Sequence, residues 1–502
     1  MTMEHIRRFG FLALVLTGLM VSCSTPIPAG PGDGSGGLPE AGVPDPAFGD
    51  DYDGDGIPDG WRTVGLAGAD LRVRDATLDA SGRIVAVGGL RFDDDPAWRM
   101  TLWRFLPDGS PDPGFGDDYD GDGIPDGYVY FSDADVRASM GNALKLHSGW
   151  IYVTGWLERA SAADGKDVAL WRFGEDGRPD PTFHFAAPAM AAARSYLSEH
   201  DLAGGGADEE GLDLALDTEV DWIFVTGYSR NPDGNRSMVV WAVGPDTIFV
   251  NPVTYRHWVT AAAFGTGGVF VYSSSTGDAV GRALGYFAGD DLRIAGWTWG
   301  PSGTRDLAVW GVTADGRLVE DFPASGSSAP FVHHGAAGGA GADYAMDLIP
   351  APDGAYDRWI AVGGSANPWG SSDAVAWRLG ADEHYTFRPL SGPTPPAVPF
   401  GPDATGYTVL RSPDRSVQEA VAVASDPGGA LFLTGWRGTA NENLMLWKLD
   451  GDGIPKAESA FRAEGVGGYV GVAVLPAAAG RVTVVAGALV GGREALLLVR
   501  YR

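Results

Sequence analysis

The feature that most constrains this chain is a run of β-branched and aromatic residues ending in glycine, which recurs as GRIVAVGG, GWIYVTGW, DWIFVTGY, LRIAGW, RWIAVGG, ALFLTGW and RVTVVAG. The aligned glycines, Gly88, Gly155, Gly227, Gly296, Gly363, Gly435 and Gly487, stand 67, 72, 69, 67, 72 and 52 residues apart. A second run follows each of them, TLWRF, ALWRF, VVWAV, AVWGV, VAWRL, MLWKL or LLVRY, with Trp103, Trp171, Trp241, Trp310, Trp377 and Trp447 in six copies and Val499 in the seventh. Apolar segments such as NALKLH and AVAVAS precede the glycine run, and VYFSD from Val129 follows the tryptophan run. Four short strands per unit, set off by Gly, Asp and Pro turns, is the period of a propeller blade. Seven units predict an all-β, seven-bladed β-propeller over residues 45–502.

The two ends of the repeat region sharpen this expectation. The last unit stops at its third strand, LLVRYR, while residues 60–65 (GWRTVG) form a spare outer-strand segment ahead of the first unit. Pairing the two closes the ring and hides edges that an open array would expose. A linear β-solenoid would have units nearer about 20 to 30 residues and no use for this complementary truncation. The tryptophan repeated once per unit reads as packing between neighbouring sheets rather than as a channel lining.

The links between units read LPDGSPDPGFG at 106–116 and GEDGRPDPTF at 174–183, with PDPAFG from Pro44. Together with the VTGW and LWRF runs, they resemble bacterial delta-60 repeat proteins, in which a DG turn, an acidic residue, Phe and Gly join successive propeller strands. The resemblance is clear in the first two units and fades after Phe183. It implies a propeller on an extracytoplasmic protein and brings no catalytic residues.

One string, GDDYDGDGIPDG, occurs at 49–60 and again at 116–127. Asp51, Asp53, Asp55 and Asp59, with the carbonyl of Ile57, offer the oxygen ligands a hard Ca²⁺ takes; Asp118, Asp120, Asp122, Asp126 and Ile124 repeat the set. Four carboxylates within nine residues repel one another unless a cation lies among them. The string also resembles the calcium loops of thrombospondin type 3 repeats. It departs from the EF-hand, since Arg62 and Val129 stand where a bidentate Glu belongs, and Asp50 and Asp117 are the residues able to compensate. Calcium loops are therefore expected at 50–59 and 117–126, as staples of propeller connections. A third relative, LDGDGIPKAE at 449–458, has Lys448 and Lys456 in place of the first and last Asp, and is expected to bind no metal.

The N-terminus carries Arg7 and Arg8, an apolar run from Phe9 to Val21, and Cys23, the one cysteine of the chain. This is the pattern of a secretory signal over 1–22, followed by a lipidated cysteine and a Pro/Gly-rich tether over 23–44. The protein is thus expected at the cell envelope, lipid-anchored and extracytoplasmic, in the outer membrane if the cell is diderm. With 65 acidic against 36 basic residues and a net charge of −29, nucleic acid and anionic lipid surfaces are disfavoured partners.

Nothing in the sequence supplies a serine-hydrolase elbow, a zinc-protease helix or a phosphate loop. His333 and His334, able to ligate a metal with Asp343, read as exposed loop, and two long loops at 186–211 and 389–414 break the unit period. The favoured function is a calcium-stabilised binding or scaffold module for a protein or glycan partner, with the oligomeric state left open. The alternative is an envelope enzyme, a polysaccharide hydrolase or lyase or a quinoprotein-type dehydrogenase, with its site at one mouth of the ring. Close carboxylates or histidines in the central channel would favour the enzyme, and a smooth Gly, Thr and Ala lining the binder. A purely structural surface protein is the third reading.

Overall fold

The computed structural model describes residues 42–502 except 161–164, 185–194, 207, 251–252, 287–290, 301–302, 320–330, 334, 355–357, 382–386, 390–399 and 403–405. The signal segment, Cys23 and nearly all of the tether lie outside the described residues, as does the Ala-rich patch of the 186–211 loop.

Seven antiparallel sheets follow one another along the chain, and each is a blade. Blade 1 runs Ala69–Leu78, Ile84–Phe92, Arg99–Phe105 and Tyr128–Tyr130 from the inside outward. The innermost strands of blades 2 to 7 are Val136–His147, Glu210–Asp217, Ala279–Tyr286, Asp343–Pro350, Gln418–Ser425 and Val466–Pro476. Blade 7 takes its outer strand from Trp61–Val64, which pairs with Arg493–Tyr501, Trp61 opposite Val499. The ring closes as the sequence predicts. Blades 3 and 5 depart from the four-strand expectation: Arg236–Val250 pairs with both Val253–Thr260 and Val269–Tyr272, and Ser372–Ala381 with both Phe387–Pro389 and Tyr407–Leu410. In both cases a long connection has enough residues to add a strand of its own.

The aligned glycine has a steric cause. Every inner strand carries a bulge, between Val73 and Asp75 in blade 1 and at the matching place in the other six. The extra residue pushes the inner-strand backbone against the second strand, so a Cβ at Gly88 would lie 1.8 Å from the Arg72 carbonyl oxygen. The same close approach recurs at Gly155, Gly227, Gly296, Gly363 and Gly435, where only glycine permits it; Gly487 in blade 7 has open space instead. The apolar residues gather in seven large clusters, one at each blade junction, and two small ones around Met140 and Trp297, instead of one central core. Each recurring tryptophan packs against the blade before it: Trp171, Trp241, Trp310 and Trp377 are fully buried, and Val499 fills the same place in blade 7.

In such blades the inter-blade links and the hairpins between second and third strands lie on one face, called upper here. The remaining hairpins and the acidic loops lie on the lower face. The LPDGSPDPGFG and GEDGRPDPTF motifs, expected between units, instead join the third and fourth strands within a blade, on this lower face, and there the Phe and Gly of the motif form a clasp. Phe48, Phe115, Phe264 and Phe400 are fully buried. The following glycine, at positive φ, donates its N–H to a carbonyl in the next blade's turn: Gly49 to Asp108 at 3.0 Å, Gly116 to Asp176 at 2.9 Å, Gly265 to Asp315 at 2.8 Å and Gly401 to Asp452 at 2.8 Å. The clasp thus persists at two junctions where the sequence resemblance has faded.

Candidate functional site

The bulges place Arg74, Asn142, Leu212, Arg282, Met346, Val421 and Val472 as the unpaired residues of the seven inner strands. A bulge re-aims a side chain out of the alternating pattern. Arg74 and Arg282, from blades 1 and 4, are thereby brought within electrostatic reach of each other across the channel. Arg74 keeps contact with channel water but is hemmed in by protein. Desolvation and then the charges of Arg72 and Arg282 hold its guanidinium below the usual arginine range; desolvation does the same to Arg282.

The acids around this mouth already have partners. Glu210 pairs with Lys166, Glu494 with Arg72 (Nε to Oε2 2.6 Å), and Glu419 accepts the hydroxyl of Tyr344. Cations cover the neighbouring aromatic faces, Arg72 over Trp98 at 4.5 Å, Lys166 over Trp156 at 4.2 Å and Arg305 over Trp297 at 4.3 Å. Among the described residues neither Arg74 nor Arg282 makes an ion pair, and Arg282 Nε is buried with no hydrogen-bond partner. Both guanidiniums feel the charge of Glu210, and Arg74 that of Glu494 as well, yet among the described residues no carboxylate is in contact with either.

Deeper in the channel, one residue past the bulge, lie Asp75, Asp213 and Asp347 on blades 1, 3 and 5. Lys145 of blade 2 reaches among them, its Nζ 3.6 Å from Asp213 Oδ1. Each carboxylate accepts the next residue's N–H, at 2.7 to 2.8 Å, and an N–H from the following blade: Leu144 to Asp75 at 2.9 Å, Leu284 to Asp213 at 2.7 Å, Val423 to Asp347 at 2.8 Å. Burial pushes Asp75 and Asp347 up to about 6, against the pull of Lys145 and those amides. The channel is therefore neither a smooth Gly, Thr and Ala lining nor a free carboxylate cluster. Its acids stitch adjacent blades.

The repeated acidic string folds the same way in both copies. Asp51 accepts the N–H groups of Gly54 at 2.7 Å and Gly56 at 2.8 Å, Asp55 that of Ile57 at 2.8 Å, and Asp59 that of Tyr52 at 2.7 Å. Asp118, Asp122 and Asp126 repeat these contacts with Gly121, Gly123, Ile124 and Tyr119. Ligand atoms of Asp51, Asp53 and Asp59 come within 4.8 Å of one another in the first loop, and those of Asp118, Asp120 and Asp122 in the second. Asp126 is pushed up by burial and by the charges of Asp120, Asp118 and Asp122, against the Tyr119 amide. Of the two acids able to compensate for the missing Glu, Asp50 is held by Arg62 at 2.5 Å and Asp117 sits 3.2 Å from the Tyr119 hydroxyl. Ile57 and Ile124 have exposed side chains.

The third relative folds differently from the two acidic loops. Asp450 N–H bonds Ile454 O and Gly453 N–H bonds Asp450 O, the pattern of Leu106 to Ser110 in blade 1. DGDGIP is there the ordinary DG hairpin, whereas the acidic loops come later, after the clasp. Lys456 Nζ lies 2.7 Å from Asp450 Oδ2.

The long loop between blades 2 and 3 contributes more than its sequence announces. Its His200 and Glu209 meet Asp167 of blade 2. Burial pushes the Glu209 carboxyl up to about 7. Of the His333, His334 and Asp343 group, His334 lies outside the described residues, and Asp343 is fully buried at the start of blade 5.

Sequence reasoning missed Arg74, Arg282, the three channel aspartates and this histidine cluster. One signal was present: VRDATL, GLDLAL and YAMDLI each place an Asp at the same register of an otherwise apolar inner strand.

A family model described as a domain of unknown function (DUF5122) beta-propeller matches residues 80–115 and 148–183. The matched segments carry the two best copies of the link motif. No curated protein matches the chain in sequence. Among solved structures it is similar to a Trypanosoma rangeli sialidase (10% identity, 92% of this chain, TM-score 0.31), spanning 57% of that chain's length. It is also similar to a glucose dehydrogenase (14%, 71% of this chain and 95% of that one, TM-score 0.36). A third likeness is the β-propeller domain of the Trilobed protease from Pyrococcus furiosus (8%, 86% and 93%, TM-score 0.38). Nothing about this chain's ligand or chemistry follows from likenesses so distant. No helix among the described residues is long and apolar enough to cross a membrane.

Proposed function

We propose that the chain is an extracytoplasmic binding module, tethered through a lipidated Cys23, whose ligand presents an anionic group to Arg74 and Arg282. The observation that carries this reading is the pair of guanidiniums at the channel mouth with no carboxylate in direct contact among the described residues, Glu210 being near both by charge alone. Guanidinium forks match carboxylate and phosphate oxygens, and partial desolvation by the surrounding protein strengthens such contacts. A glycan bearing uronate groups, or an acidic protein segment, has the required chemistry. In this reading Ca²⁺ at Asp51, Asp53, Asp55, Asp59 and the Ile57 carbonyl, and at Asp118, Asp120, Asp122, Asp126 and the Ile124 carbonyl, staples the lower face. The upper face remains for the ligand.

The test is calorimetric titration of the protein with an oligogalacturonate, an acidic peptide and a neutral oligosaccharide. Binding of one anionic probe, lost at least tenfold in Arg74→Ala and Arg282→Ala with unchanged melting temperature, is the expected result. Equal binding by the neutral sugar, or variants that bind normally, would remove the arginine mouth from consideration.

The enzyme reading keeps one supporting observation. Asp75 and Asp347 have carboxyls raised to about 6, in the range of proton-transfer groups. Cleavage of an acidic polysaccharide that vanishes in Asp347→Asn, with probe binding intact, would establish it over the binder.

A further inference from the structure

At the junction of blades 2 and 3, three residue types used by transition metals meet on the upper face. Asp167 opens the third strand of blade 2, Lys166–Gly174; His200 follows its outer strand, Tyr196–Glu199; Glu209 directly precedes the inner strand of blade 3. His200 Nδ1 lies 3.0 Å from Asp167 Oδ1 and 3.2 Å from Glu209 Oε2, and the three donor atoms are all within 4.8 Å of one another. Ligands about 2.0 Å from a tetrahedral ion are about 3.3 Å apart, so the donors already stand near the separation such an ion imposes.

The polar accounting points the same way. Glu209 is 0% exposed and Asp167 4%, with its side chain at 6%, yet Glu209 Oε2 has no hydrogen-bond partner and faces the cluster. His200 Nδ1 also lacks a well-formed hydrogen bond, so neither carboxylate sits where a ring N–H would point. One imidazole nitrogen carries at most one proton and cannot satisfy two acids. Meanwhile the other oxygen of each acid is held from behind. Ser229 Oγ and the Asp201 N–H donate to Glu209 Oε1 at 2.9 and 3.1 Å, and Arg159 Nε to Asp167 Oδ2 at 2.6 Å. Backing of this kind orients metal ligands. The His200 side chain is 34% exposed, which leaves an open position for water or a ligand.

The repeats supply an independent comparison. Asp167 stands four residues before Trp171, and Glu209 and His200 stand 4 and 13 before Asp213. In the blade 4 to blade 5 copy, Asp306, Asp343 and His334 occupy the same positions relative to Trp310 and Asp347. The other five junctions have Arg62, Tyr130, Phe270, Val409 or Ala460 at the histidine position, and none has an acid at the Glu209 position. Within one chain, histidine occurs only where both carboxylates occur. Packing alone gives no reason for that association.

We infer that Asp167, His200 and Glu209 form a binding site for a divalent transition metal of the zinc class, separate from the calcium loops. Imidazole nitrogen with two carboxylates suits such an ion better than Ca²⁺, which takes oxygen ligands. The test uses the full chain, stripped with chelator, saturated with calcium and titrated with zinc by calorimetry. Expected is a zinc equivalent that disappears in His200→Gln and in Glu209→Gln, while Ser229→Ala weakens it by about 10- to 100-fold. Should either ligand variant fail to fold, cobalt loaded into the unaltered protein reads the site directly. A hyperfine-shifted, exchangeable imidazole proton supports it, and its absence overturns it. Zinc stoichiometry unchanged in the folded variants, or no zinc uptake beyond the calcium loops, also overturns it and leaves a proton-sharing cluster.

Discussion

The same six residues, DGDGIP, take two shapes in this molecule. At 53–58 and 120–125 they form an open acidic loop, and at 450–455 a tight hairpin between two strands of blade 6. What differs is the residue two positions before. Asp51 and Asp118 each gather two glycine N–H groups and so wind the backbone into a loop; Lys448 offers no acceptor, and the strand simply runs on. A short motif is thus only half an instruction. The acceptor that organises its amides is the other half.

The comparison can be broken most severely at the clasp from which the acidic loops hang. Gly116 has φ +84, and a Cβ there would lie 1.9 Å from the Tyr128 carbonyl oxygen, whereas Gly121 has φ +80 and open space. Gly116→Ala should therefore cost about 3 kcal/mol or more, and Gly121→Ala only the about 1 to 2 kcal/mol of left-handed backbone. Denaturant titrations of the two variants check this, and equal losses would dissolve the distinction between clasp and loop.

Next in size is calcium. With free ion at about 100 times the dissociation constant, each occupied loop adds about 2.7 kcal/mol. Melting in calcium and in chelator should differ accordingly, with half of the difference lost in Asp53→Ala and half in Asp120→Ala. No shift in the native protein would reduce the strings to acidic turns copied along with their blades.

A gentler effect separates loop carboxylates from channel carboxylates. Asp75 and Asp347 have folded values of about 6 against an ordinary 3.8. The folded state binds their protons more tightly, so the stability they contribute is present below pH ~4 and is lost as pH rises through about 6. In chelator, where calcium is silent, Asp347→Asn should flatten that pH dependence by about 1 kcal/mol once coupling to Lys145 is discounted. Melting curves between pH 4 and 7 read it out, and an unchanged slope would refute the assignment.

The smallest effect is in blade 6. Restoring both acids, in a Lys448→Asp, Lys456→Asp double variant, should create no calcium site, because the hairpin already spends its amides on strand pairing. The lost Lys456 to Asp450 pair is worth a few tenths of a kcal/mol at this exposure. A third calcium equivalent by calorimetry would show that side chains alone decide between loop and hairpin.

The fold was legible because propeller physics writes itself periodically. Six junctions need a Trp, the bulge needs Gly88 and five of its counterparts, and the spare GWRTVG had to go somewhere. The mouth was not legible, because a bulge breaks the strand alternation that tells which way Arg74 and Arg282 point. Convergence across a ring also has no signature in sequence distance. The blade 6 hairpin differs in shape from the acidic loops because its six letters match while its organising acid does not. His200 looked like one scattered histidine until the register of Asp213 aligned it with His334.

Closure by Trp61–Val64 has a consequence in time. The first of the described strands belongs to the last blade, so it must wait, unpaired, until Arg493–Tyr501 has been synthesised some four hundred residues later. Until then the arc has two raw edges, and the turn carrying the first acidic loop, whose Asp50 amide bonds the Trp61 carbonyl, hangs from one of them. Blades 1 to 6 can assemble in order behind it, but the ring is finished in a single late event. A chain interrupted before its final strand would be left with both edges free, ready to pair with another chain in place of its own beginning.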